Sequence, residues 1–107
     1  MDDEERRNIL HHVLLQVNPT LDALNDAFAR FSRVATSRPS ISVASMVEII
    51  REDIIHITNV ITMECNTGYV IDILSHLDHA RDLTHKITYI TPLVREQHER
   101  RGFYVAD

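Results

Sequence analysis

The fold turns on VASMVEIIREDIIHITNVI, residues 43–61. Isoleucine and valine crowd this stretch, and propensity alone would make it a β-strand. Its period says otherwise. Val43, Val47, Ile50, Ile54, Ile57 and Ile61 are spaced 4, 3, 4, 3, 4, whereas a half-buried strand alternates every second residue. The spacing predicts an amphipathic helix over about 42–65.

On its N-terminal side, ATSRPSIS (35–42) breaks the periodic pattern. Arg38, preceding Pro39, is biased toward extended backbone, and Ser40 or Ser42 offers a capping oxygen for the following helix. On its C-terminal side the row loses phase, since continuing it would reach Glu64 and Gly68. Asn66 and Gly68 are the residue types that most readily take the left-handed conformation closing a helix. A tight turn at 66–68 is the expectation, with one long helix running through Gly68 as the alternative.

Two further rows flank these breaks. Leu10, Leu14, Val17, Leu21, Leu24, Phe28 and Phe31 form an unbroken 4, 3 seam that keeps its phase across Pro19. One helix of about 3–35, kinked where proline removes the amide bond to Leu15, fits this seam. The rival is a new helix capped by Asn18 with Pro19 in its first position. Beyond the turn, Val70, Ile73, Leu77, Ala80, Thr84, Ile87, Thr91 and Val94 predict a third helix of about 69–99, leaving a short tail at 102–107. The acidic start, MDDEERRN, and the basic REQHERR near the end both suit the helix dipole.

The chain of 107 residues is long enough for one domain, and its 44% apolar content is ordinary for a globular protein. Two glycines and three prolines are too few for a hairpin-rich sheet. The expected fold is all-α: an antiparallel three-helix bundle, or a helical hairpin, with coiled-coil-like heptad packing in a single domain spanning 1–107.

Charge and composition narrow the function. A net charge of −5 argues against a nucleic-acid module, which needs a basic face. Ten of the eleven basic residues are arginine, a bias that suits carboxylate pairing but that base composition explains as well. Cys65 is the sole cysteine, so an intrachain disulfide and a cysteine-built zinc site are both excluded. The acidic start lacks the apolar core of a signal peptide, and no apolar run nears the roughly 20 residues of a membrane span. An intracellular protein, cytoplasmic or nuclear, is expected.

DILSHLDHARDLTH, residues 72–85, gathers three histidines and three aspartates and raises the question of a metal or acid–base site. At roughly 100° per residue, His85 lies opposite His76 on the third helix, so three ligands do not converge. Asp72 with His76, and His79 with Asp82, are placed for surface pairing only. His11 and His12 diverge in the same way, and His56 flanks the isoleucine row as a boundary residue. No phosphate loop, zinc-protease or serine-hydrolase motif is present. Catalytic, cofactor and metal residues are therefore all assigned as none, and Cys65 is read as a structural thiol.

The informative feature is an apolar surplus. Ile9 and Leu15 lie off the first row, Ile49, Ile55 and Met63 off the second, and Ile71, Leu74 and Tyr89 off the third. A wide bundle stripe absorbs Leu74 and Ile9, but not residues on the back of the second helix. Ile49, Ile55, Met63 and Ile71 are assigned to partner binding. The function expected is a non-enzymatic interaction subunit of a multi-subunit intracellular assembly, joined by helix packing as a homo- or hetero-oligomer. The alternative is a free-standing three-helix domain that takes a peptide or membrane-fusion helix in a groove. In helix lengths and heptads alone, the layout is similar to subunits of the organelle-biogenesis and lysosome-positioning complexes and of the spindle-attachment Ska complex. That likeness carries no diagnostic motif and implies only a shared bundle.

Overall fold

The computed structural model describes residues 2–38 and 40–105, with side chains described through residue 100 apart from Met1 and Pro39. Four helices follow one another: α1 (Asp3–Leu14), α2 (Val17–Thr36), α3 (Ile41–Thr67) and α4 (Val70–Val105). There is no strand among the described residues. Joined end to end, α1 and α2 act as one bent rod, so the architecture is an up–down–up bundle of three rods. It is long and thin, 70 × 18 × 15 Å, with a radius of gyration of 18.0 Å. A compact chain of this length would have about 13 Å.

The break in the first rod falls at Leu15 and Gln16, three to four residues before Pro19. Both residues keep right-handed backbone (φ −64°, ψ −20° and φ −85°, ψ −15°), so the chain bends without leaving helical space. The Gln16 amide bonds back three residues to Val13 at 3.0 Å, a tightened turn. Pro19 has no amide to offer the Leu15 carbonyl, which places the irregularity one turn upstream of the proline. Asn18 is already inside α2 and caps nothing. Across the bend, Arg81 of α4 donates to the Gln16 side-chain oxygen at 2.7 Å.

Burial corrects one position of the first row. Leu24 and Phe31 are buried, Leu10, Val17, Leu21 and Phe28 are half-buried and pack against the core, and Leu14 is exposed. Val13, Thr20 and Ala27, which the row left out, are buried beside them. The neighbours of α2 explain this. Thr20 and Ala27 lie on its α4 side, as their shared clefts with α4 show. Small side chains there let α4 approach closely, and α2 packs most extensively on α4. Phe28 turns toward α3, where the Arg51 guanidinium sits 5.8 Å from its ring centroid. Approach distance, more than side-chain size, sets which residues are sealed.

The second row matches the expected pattern throughout. Val43, Val47, Ile50, Ile54, Ile57 and Ile61 are all buried. Ser40 caps α3, its Oγ accepting the Val43 amide at 3.2 Å. At the other end Gly68 has φ +73°, the left-handed conformation, and its amide reaches the Glu64 carbonyl at 3.0 Å. A β-carbon there would meet only Leu10 Cδ2 at 3.5 Å, so backbone conformation rather than space calls for glycine.

In α4 the buried residues are Ile73, Leu77, Ala80, Ile87, Val94 and His98, with Thr84 and Thr91 half-buried among them. These threonines fit because their hydroxyls donate to the Ala80 and Ile87 carbonyls, at 2.9 and 2.7 Å. The helix runs on through Gly102 to Val105, where a tail was expected. Gly102 stays helical, with Gly68 the glycine that has positive φ among the described residues. REQHERR therefore lies inside α4 and not in its last turn. Pro39, Ala106 and Asp107 lie outside the described residues.

Candidate functional site

Three surfaces carry side chains that packing does not use. The first is the outward side of α3. Ile49, Ile55 and Met63 are 60%, 53% and 65% exposed, on the opposite side from the buried row. They are separated along the helix by six and eight residues, or about 9 and 12 Å, with Glu52, His56 and Asn59 between them. Ile41 extends the same side and is 89% exposed.

Ile71 is not part of that side. It is the second residue of α4 and lines a cleft of about 340 Å³ with Ile9, Leu10, Gly68 and Val70. Arg6 and Arg7 border this cleft. The four residues expected to bind partners thus fall on two surfaces. Ile71 and Ile9, assigned separately from sequence, meet because the Gly68 turn brings the start of α4 against α1.

The third surface was missed by sequence reasoning. Between the second half of α2 and the second half of α4 lies a groove of about 660 Å³. Arg30, Arg33, Arg38 and Arg95 line it, against the single carboxylate of Glu99. Among the described residues the ion pairs are Arg51–Glu48, Lys86–Asp82 and Arg100–Glu96, so none of these four arginines is engaged. His98 lines the same groove and is 5% exposed. Both of its ring nitrogens are buried and lack a hydrogen-bond partner. Leaving such a polar group unsatisfied costs about 1–3 kcal/mol, so it calls for an explanation.

A signal for His98 did exist. Carrying the third row one step past Val94 lands on it, since 87, 91, 94 and 98 keep the 4, 3, 4 spacing. Pro92 is also inside α4, where it removes the amide that would bond the Thr88 carbonyl. Thr88 and Pro92 both line the groove, which places this irregular turn of α4 opposite the arginines of α2.

Comparison of the chain with family models, curated proteins and solved structures finds no match. Its chemistry must be read from its own side chains.

The histidines and aspartates of residues 72–85 stay apart. His79 and His85 are exposed, His76 is half-buried, and Asp82 pairs with Lys86 at 3.0 Å rather than with His79. Among the described residues no three of His, Cys, Asp or Glu are grouped as metal ligands. Cys65 is half-buried against the core, and burial pushes its thiol pKa up. No helix among the described residues is long and apolar enough to cross a membrane.

Proposed function

We propose that this protein is a non-enzymatic helical interaction subunit that lays the outward side of α3 against helices of protein partners in a larger assembly. One observation carries this reading: Ile49, Ile55 and Met63 are all more than half exposed on the side of α3 turned away from its buried row. Covering one such side chain stabilises a complex by about 1.5–3 kcal/mol before the entropic cost of association is subtracted. Three of them spread along α3 in a molecule 70 Å long suit side-by-side packing of helices better than a single deep pocket would. Arg51 and Glu48 pair with each other on the same helix and supply a polar border.

The cleft lined by Ile9, Leu10, Val70 and Ile71 favours a second reading, a free-standing domain that seats the apolar side chains of one peptide helix. The two readings differ in what light scattering on a sizing column measures. A subunit held by α3 gives a mass above that of one chain as concentration rises, or a complex of fixed stoichiometry with its partner. A chain that stays single at high concentration and purifies without a stoichiometric partner overturns the subunit reading.

A further inference from the structure

The arginine-lined groove is independent of the outward side of α3, and its composition is specific. Arginine presents a planar fork of donors and no acceptor, so four of them lining one groove beside a single carboxylate suit an oxyanion with several acceptor oxygens. The overall charge of the chain is −5, which makes this local excess of cations a feature of the groove and not of the surface at large. Arg33, in the last turn of α2, also offsets the negative end of that helix, but Arg95 lies well inside α4 and has no such role there. His98 supplies the second, independent observation: a buried imidazole in the groove with neither nitrogen bonded. Whichever tautomer it holds, a neutral imidazole has one N–H to donate. The groove also has an apolar part, formed by Ala27, Val34 and Pro92. Its volume of about 660 Å³ is within the range of small-molecule sites.

We infer that this groove binds a small soluble organic phosphate. The arginines hold the phosphoryl oxygens, the ligand's carbon body rests on Ala27, Val34 and Pro92, and His98, whose nitrogens are sealed in the unliganded groove, turns an N–H toward the ligand on binding. Pairing of a doubly charged phosphoryl group with guanidinium forks is bidentate and charge-assisted, which favours it over a single carboxylate.

The test uses the full chain and three probes at constant ionic strength: phenyl phosphate, inorganic phosphate, and phosphatidylcholine vesicles carrying phosphatidic acid. Calorimetric titration and thermal melting read the outcome. Phenyl phosphate is expected to bind saturably at one site and raise the melting temperature, with inorganic phosphate weaker. Arg30→Gln and Arg95→Gln should each weaken phenyl phosphate by about tenfold or more. The double change Arg6→Gln, Arg7→Gln, in the cleft beside Gly68, should leave it unaltered. His98→Leu should weaken binding while raising the melting temperature of the free protein, because it removes an unpartnered polar ring; a purely structural histidine would lower that temperature and leave affinity alone. Should His98→Leu fail to fold, the exposed Arg30 and Arg95 variants still decide. No saturable binding of phenyl phosphate, equal loss in the Arg6/Arg7 variant, or binding to the phosphatidic acid vesicles alone overturns the inference.

Discussion

The inward sides of α3 and α4 face the same bundle yet are built differently. In α3 six branched aliphatic residues follow one another without a polar intrusion, from Val43 to Ile61. In α4 the row begins in the same style with Ile73 and Leu77, is then diluted by Thr84 and Thr91, and ends on His98. Pro92 interrupts it on the way. The contrast separates two jobs. The inner side of α3 does nothing but pack, which leaves its outer side free to carry further apolar residues. The second half of α4 still buries Ile87 and Val94 but mixes them with threonines and with His98, whose ring nitrogens are buried without a partner, a local departure from good packing of the kind common at binding surfaces.

The largest effect should come from cutting into α3. Ile57→Ala or Ile61→Ala opens a cavity in a fully apolar row and is expected to cost about 2–5 kcal/mol in denaturant unfolding. A loss below 1 kcal/mol would mean that the row is loosely packed and that the contrast with α4 is false.

Next in size is a change of opposite sign in α4. Pro92→Ala restores an amide for the Thr88 carbonyl and should stabilise the chain by up to about 3 kcal/mol. The same change is expected to alter the groove, and a destabilised variant would show that the proline is required for packing instead.

Gly68→Ala separates the two helices' junction from both. With φ at +73°, alanine should destabilise by about 1 kcal/mol, read as a lowered melting temperature. A raised melting temperature would mean that α3 and α4 run on as one helix.

The smallest expected effect is chemical. Cys65, its thiol pKa raised by burial, should alkylate at neutral pH more slowly than in the unfolded chain, because less of it is thiolate. Alkylation at the unfolded rate would place it outside the packed surface.

How much of this was legible beforehand follows the same contrast. All six inward residues of α3 can be read from spacing, and residue type points to the Gly68 turn, whereas the cap stayed open between Ser40 and Ser42 until the structure gave Ser40. The first rod was legible only in part. Six of its seven row positions pack on the core, but close approach to α4 also sealed Thr20 and Ala27, and helix-to-helix distance is not encoded in one segment. The bend at Leu15 and Gln16 falls where the amide bond from Pro19 to Leu15 was expected to be lost, a turn upstream of the proline. The arginine groove was not seen. Arg30 and Arg33 are on α2, Arg38 just beyond its end and Arg95 on α4, so no local motif joins them; only the fold does.

The central claim is that α3 has one side for its own core and another for partners, and adjacent residues test it most directly. Ile54 is 6% exposed and Ile55 53%. Ile54→Glu and Ile55→Glu would be compared by circular dichroism and by light scattering at matched concentration. Ile54→Glu should unfold the chain, since it buries an unpaired carboxylate. Ile55→Glu should keep the helix content, change stability by less than about 0.5 kcal/mol and abolish association with partners. If Ile55→Glu associates as the unaltered chain does, or unfolds like its neighbour, α3 has no separate partner-binding side and the claim is wrong.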